Sequence, residues 1–375
     1  MIGSLISRRR DEFDWVLFTL VALISGIGIL NLYSTGIASG SPELYLTQLY
    51  WLVLGGIGAF IVSIIDYKHY ERLGYFAYAT GILLLLLVLI FGKQVGGSVR
   101  WFDLGSFRFQ PSEIVKILLI IGLAKYLHHD PKQNARKLHD MLIPATMTFV
   151  TMVLILKEPD LGTALLCLLI FLSIMMLTRL TWRSMLTLLF SAPMVAVIGW
   201  SYLLKDYQKS RVISFWNLFV DPEADKLGAG WHAHQSMIAI GSGKLFGKGY
   251  LNGTAGPHHF LPECRTDFPF AVFAEEHGFI GAAFLVFLYL VLVLWSIKVA
   301  SQSRDRFGSV IAIGIGSMFF WHVIINLGMV MGIMPVVGMT LPLFSYGGSS
   351  ILTFLLGVGL LMNVSIHRFK RSYGV

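Results

Sequence analysis

The chain has 375 residues, 55% of them hydrophobic and 13% charged, with a formal net charge of +8 and a mean hydropathy of +0.71. That balance excludes an ordinary soluble domain and points to a polytopic membrane protein. No soluble basic segment accompanies the positive charge, so no nucleic-acid partner is expected; the charge reads as the loop bias of a membrane protein.

In chain order, uncharged runs at 15–33, 45–65 and 74–92 open the series. The run 111–127 carries Glu113 and Lys116, and 141–156, 161–178 and 184–204 follow it. The run 269–297 carries Glu275 and Glu276, and 307–330 and 349–366 complete the set. A helix needs about 20 residues to cross the hydrocarbon core. The reading is an all-α, polytopic integral membrane protein with ten transmembrane helices, one domain over 1–375. A large extracytoplasmic loop, about 205–268, separates helices seven and eight.

Ten spans put both termini on one side. That side holds 17 Lys and Arg against 11 opposite, with Lys116 inside a span, which predicts cytoplasmic termini. No small-residue cleavage site follows the first run, so it reads as an anchor and not as a removed signal. Cys167 in a span and Cys264 in the long loop lie too far apart in depth to pair, and suggest neither a disulfide framework nor a metal cluster.

The outer side carries four connections: a Gly- and aromatic-rich stretch at 93–110, a tight turn at 157–163, the loop 206–267, and 331–349. Within the long loop, 210–220 mixes Arg211 with Trp216 and reads as an amphipathic helix lying in the lipid interface. The segment 235–249 is too short to cross and reads as re-entrant or surface-lying.

Ionisable residues interrupting apolar runs are the functional candidates, because a charge in hydrocarbon is costly. Asp267 precedes Phe268-Pro269, the pattern of a helix N-cap with proline in the first turn. At the mouth of a membrane cavity the same carboxylate suits a general base. Glu113 and Lys116 share one helix face. Ser112 and Glu113 fit a helix start, but a lysine there opposes the helix dipole, so the pair is expected to face a polar cavity. Asp160 also fits a cap and gains interest from lying at the depth of Glu113 and Asp267. Glu275 lies about 12 Å along a helix and about 80° around it from Asp267. It is expected to line the same cavity or to hold neighbouring helices, with Glu276 pointing nearly opposite. His232, His234, His258 and His259 lack metal-ligand spacing and read as exposed loop histidines. The metal is left open: Mg²⁺ or another divalent cation, held by carboxylates and a substrate diphosphate, needs few protein ligands. No organic cofactor is expected.

Several motifs then combine. They are Phe109-Gln110-Pro111-Ser112-Glu113, Glu158-Pro159-Asp160-Leu161-Gly162-Thr163, and Gly247-Lys248-Gly249 followed by Asn252-Gly253-Thr254. Phe260-Leu261-Pro262-Glu263, Thr266-Asp267-Phe268, Ala274-Glu275-Glu276, Met334-Pro335-Val336-Val337-Gly338, Leu341-Pro342-Leu343 and Ser345-Tyr346-Gly347-Gly348-Ser349-Ser350 complete the set. In this order, over nearly the whole chain, they resemble the SEDS (shape, elongation, division and sporulation) family, in its elongation-type branch. Gly256-Pro257-His258-His259 and Cys264-Arg265 depart from the family's usual pattern. The resemblance implies a peptidoglycan glycosyltransferase of the bacterial cytoplasmic (inner) membrane, polymerising lipid II into β-1,4-linked glycan strands for cell elongation and rod shape. It implies a class B penicillin-binding protein and other elongation-complex proteins as partners. It also implies that Asp267 is catalytic and that Glu113, Lys116 and Asp160 belong to the polar cavity. Lys116 and Arg265 are then candidate cations for a departing diphosphate. A lipid II flippase and a non-enzymatic scaffold that activates the penicillin-binding protein are the rival readings.

Overall fold

The computed structural model describes residues 13–38, 40–95, 98–103, 105, 108–130, 136–177, 180–220, 229–254 and 263–368. Arg8-Arg9-Arg10, Gly96-Gly97, Arg179, His258, His259, Phe260-Leu261-Pro262 and the last basic residues, Lys370 and Arg371, lie outside the described residues.

The first helices are α1 (Trp15–Ala38), α2 (Leu44–Ile64), the short α3 (Tyr67–Arg72) and α4 (Gly74–Phe91). Three strands follow, β1 (Lys93–Val95), β2 (Ser98–Asp103) and β3 (Arg108–Phe109). Then come α5 (Pro111–His129), α6 (Leu142–Lys157), α7 (Leu161–Leu177) and α8 (Trp182–Ile198). The chain closes with α9 (Asp206–Val220), α10 (Ala229–Ser242), α11 (Pro269–Ser301), α12 (Arg306–Val330) and α13 (Gly348–Arg368). Seven helices are long and apolar enough to cross a membrane: α1, α2, α4, α6, α11, α12 and α13. Helices α5, α7 and α8 coincide with the three other sequence runs; α7 is apolar but short.

The all-α expectation needs one correction. The stretch 93–110 forms a small antiparallel meander, with Lys93 opposite Trp101 and Phe102 opposite Phe109. Its alternation of Val99, Trp101 and Phe109 with charged residues suits a strand, but the segment is too short for the hydropathy of the chain to reveal it.

Helices α12 and α13 are the most buried of the spans, and α2 and α4 are among the least. Helix α12 packs against α5, α7, α10, α11 and α13, which makes it the bundle's axis. Helix α13 lies close along α2 because Gly359 has no side chain: a β-carbon there would sit 2.6 Å from the Ala59 carbonyl oxygen, the small-residue contact typical of membrane helices.

The segment 210–220 is indeed helical, as α9, and 235–249 divides into α10 and a turn. That turn repairs a break in α11. Gly278 has φ +65°, a conformation open to glycine. Across the break, the Phe279 and Ile280 amides donate to the carbonyls of Lys244 (2.9 Å) and Leu245 (3.2 Å). The Lys248 and Gly249 amides donate back to Glu275 and Glu276, each at 3.0 Å. Backbone groups freed by the break are therefore satisfied by the spliced turn.

Candidate active site

The turn 263–268 leads into α11 and is wound on a single acceptor. The Glu263 carbonyl takes the amides of Thr266 (3.2 Å), Asp267 (3.1 Å) and Phe268 (3.2 Å), with Glu263 itself at φ +54°. The N-cap of α11 is Phe268, so the Asp267 carboxylate does not serve as the cap that the sequence allowed. It is half-buried and faces Gly338: a β-carbon on that glycine would lie 3.2 Å from Oδ2 of Asp267 and 4.0 Å from Nη1 of Arg211. Burial, reinforced by the Glu263 carboxylate, raises the Asp267 carboxyl to about 6, with the Arg211 charge opposing. A group titrating there is mostly ionised at neutral pH yet retains basicity, as a general base requires.

A buried polar series runs inward from this turn. Nδ2 of Asn326, on α12, donates to the carbonyls of Asp267 at 2.9 Å and Met339 at 2.6 Å. One turn earlier, fully buried His322 places Nδ1 3.2 Å from the Thr340 carbonyl. A carbonyl only accepts, so Nδ1 carries the proton and Nε2 is the acceptor. Nε2 takes its hydrogen bond from Nζ of Lys116 at 2.9 Å. The same ammonium donates to Oε1 of Glu113 at 3.0 Å. Lys116 is 0% exposed, and Oε2 of Glu113 is buried without a partner among the described residues. The predicted Glu113–Lys116 pair therefore exists, but enclosed between α5 and α12. The N-cap of α5 is Gln110 with Pro111 behind it; Ser112 lies inside the helix and does not cap it, because proline at the first helical position already fits there.

Asp160 does cap a helix. Its Oδ1 accepts the Thr163 amide at 3.2 Å and its Oδ2 the Thr163 hydroxyl at 2.9 Å, while Gln110 Nε2 donates to Oδ2 at 3.1 Å. The turn before it is held by Arg100 of β2, whose Nε donates to the Glu158 carbonyl at 2.9 Å and whose Nη2 donates to that of Pro159. Glu158 is fully buried, and neither carboxyl oxygen has a partner among the described residues. Burial, then the Asp160 charge, raises its carboxyl to about 8, with Arg100 opposing.

Glu275 has partners other than those of Asp267. Its Oε1 accepts from Lys248 Nζ at 2.5 Å, the Thr254 hydroxyl at 2.6 Å and the Thr254 amide at 3.0 Å. Of its two expected roles the geometry supplies the holding one: it ties 248–254 to α11. Glu276 takes its partner from another element than Glu275 does. It accepts from the Ser34 hydroxyl of α1, and both carboxylates close on Gly253, because the spliced turn brings 248–254 against this end of α11. Arg265 is half-buried, and its carbonyl accepts the Tyr346 amide at 2.9 Å.

His232 and His234 are half-buried on α10 and are not exposed loop residues. His232 stacks on Phe268 at 6.2 Å, and burial lowers its pKa. Among the described residues, the three-donor group close enough to hold a metal is Glu71, His128 and His129. It lies at the far end of α5, about 28 Å along that helix from Pro111. A cation already occupies it, since Nζ of Lys125 is 3.6 Å from Glu71 Oε1 and 3.5 Å from His129 Nε2. At the Asp267 end the carboxylates are Asp267 and Glu263, a set that suits Mg²⁺ only when substrate phosphates complete the shell. Cys167 and Cys264 are both free and buried.

Sequence reasoning passed over His322 and Asn326, hidden in a run read as uncharged. Their spacing of four on an intramembrane helix was the available signal.

Fold and site together define a multi-pass membrane protein whose ionisable residues gather around the end of the bundle that carries Asp267. The model of the FtsW, RodA and SpoVE cell cycle proteins matches residues 14–370, and the chain belongs to that family, the SEDS proteins. It is 38% identical to the peptidoglycan glycosyltransferase MrdB of Escherichia coli, over 96% of this chain and 95% of that protein. It is 35% identical to the peptidoglycan glycosyltransferase RodA of Treponema pallidum, over 96% and 98%. Among solved structures, a chain from a peptidoglycan synthase complex superposes with a TM-score of 0.81 at 34% identity, covering 96% of this chain and 99% of that one. The crystal structure of RodA from Thermus thermophilus gives 0.71 at 33% identity, over 96% and 98%.

Proposed function

We propose that this chain is a peptidoglycan glycosyltransferase that polymerises lipid II, with Asp267 as general base. The observation that carries the reading is a carboxylate left out of helix capping, half-buried, and raised to about 6. All ten apolar helices cross the membrane as one domain over 1–375, both termini are cytoplasmic, and Asp267 faces the periplasm or cell exterior beside the 205–268 loop. The basic majority on the termini's side supports that orientation.

Asp267 takes the proton of the acceptor's GlcNAc 4-hydroxyl as that oxygen attacks the donor's anomeric carbon. The bond to the polyprenyl diphosphate breaks, and one direct displacement converts the α-linked donor into a β-1,4 linkage. Glu113, Lys116, Asp160, Arg265 and Glu275 shape the surrounding cavity: the first two by anchoring the inner series, Asp160 by setting α7, Glu275 by fixing 248–254. A divalent cation belongs to the proposal as well. The substrate diphosphate, with Glu263 beside it, would hold it, and it would neutralise diphosphate charge there. A class B penicillin-binding protein is the partner, as the similarity to a synthase complex supports.

The test is purified protein with lipid II, with and without the partner and a chelator. Long glycan strands should form, and Asp267→Asn should abolish them with folding and partner binding intact. Lipid flipping without polymerisation would favour a transporter, and polymerisation unaffected by Asp267→Asn would remove the base.

A further inference from the structure

The departing diphosphate needs a cation within reach of Asp267, and Lys116 does not supply it: its ammonium is sealed from the surface and already donates to Glu113 and His322. Arg211 is placed differently. It lies on α9, whose residues Ile213, Trp216 and Val220 are exposed at spacings of three and four, the stripe an interfacial helix turns to lipid. Arg211, Ser214 and Phe215 form another stripe and line a small recess with Gly230, Met334 and Val336. Nη1 of Arg211 donates to the Val336 carbonyl at 3.1 Å, and among the described residues this is the guanidinium's one hydrogen bond. No carboxylate forms an ion pair with it among the described residues, although Asp267 also borders Gly338. Asp267, the carboxylate that feels its charge, becomes neutral once it has taken the acceptor's proton, so this half-buried arginine then gains from a ligand that supplies charge.

We propose that the Arg211 guanidinium, at the edge of this water-sized recess and beside Gly338, is the cation that binds the diphosphate of a polyprenyl-linked substrate. The inference rests on the Asp267 reading for the position of the reacting carbon. The interfacial stripe sets the guanidinium at headgroup depth, where a lipid diphosphate carries its charge. The planar fork offers paired donors that a lysine lacks. Charge gathering on the leaving oxygen is then met by a fixed cation, which borders Gly338 as the base does.

Binding without turnover tests this. The full chain in nanodiscs is titrated with farnesyl diphosphate, farnesyl phosphate and farnesol, with phosphatidylglycerol as competitor. The diphosphate should bind about tenfold tighter than the monophosphate, farnesol weakest, and phosphatidylglycerol should not displace it. Arg211→Gln should erase the preference for diphosphate, and Arg211→Lys should retain part of it; if the glutamine variant does not fold, the lysine variant decides. Asp267→Asn should keep or tighten diphosphate binding while losing polymerisation. A wild-type chain without diphosphate preference, displacement by phosphatidylglycerol, or a preference unchanged in the folded Arg211 variants would overturn the proposal. Polymerisation surviving in Asp267→Asn would instead strike the base and leave the binding series to stand.

Discussion

His322 and Asn326 stand one turn apart on α12 and connect the buried Lys116 ammonium to the backbone of Asp267. Asn326 also holds the Met339 carbonyl, so one amide fixes the 263–268 turn against the 336–340 segment that faces the carboxylate. Asn326→Leu should leave two carbonyls without their donor, at a cost of about 1–3 kcal/mol each where burial persists. Single-turnover polymerisation should fall about tenfold or more while lipid II binding changes little, since a misplaced base loses rate first. A rate that falls only with the folded fraction would reduce Asn326 to a structural residue.

Lys116→Met should destabilise the chain by about 3–5 kcal/mol, because it leaves the Glu113 carboxylate buried without its cation. The double variant Glu113→Gln, Lys116→Met removes both charges and should recover much of that loss. Thermal melts in one detergent compare them. Equal melting temperatures for single and double variants would mean that Glu113 reaches water in the single variant.

The pH profile carries a signature of Asp267. Only its ionised form accepts a proton, so polymerisation should fall below about pH 6, the value its carboxyl reaches, by about tenfold per pH unit. Glu263 pushes that value up and Arg211 pulls it down. Glu263→Gln should therefore move the acid limb to lower pH and Arg211→Gln to higher pH. Initial rates across pH 5–8 give both signs in one experiment, and a limb indifferent to Glu263 would assign it to another group.

Glu275→Gln should lower the melting temperature, because Lys248 loses its charged acceptor, while the rate per folded molecule holds. A rise in KM at unchanged stability would return Glu275 to the substrate.

How much was legible follows from the type of signal. Apolar runs marked the helices because hydrocarbon tolerates nothing else, and Asp267, Glu113 and Lys116 stood out as charges against that background. The partners were not legible. Lys116 meets His322 across 206 positions of sequence, a packing relation that no local pattern encodes. The cap at Asp160 is legible in sequence and so is a holding role for Glu275, but that Glu275 latches a loop and not a neighbouring helix is not. The turn spliced in at Gly278 explains the latch, since its amides bond the Glu275 and Glu276 carbonyls and bring 248–254 against them. The meander of 93–109 escaped notice because a short strand pinned by Arg100 to a distant turn owes its shape to that contact.

Glu158 makes the last prediction. It is fully buried, has no partner for either oxygen among the described residues, and its carboxyl is raised from 4.5 to about 8. At neutral pH it is mostly protonated. The folded chain holds that proton more tightly than the unfolded chain, so the stability it contributes is full below about pH 4.5 and is lost as pH rises through about 8. The wild-type melting temperature should thus decline between pH 5 and 9. Glu158→Gln, similar in shape and unable to ionise, should match wild type at low pH and exceed it by on the order of 2 kcal/mol at pH 9. Arg100 anchors the same turn, so Arg100→Gln should steepen the wild-type decline by removing the charge that opposes the shift. If Glu158→Gln destabilises the chain equally at every pH, the carboxyl is held by an ionic contact and not by burial, and the turn before Asp160 depends on charge.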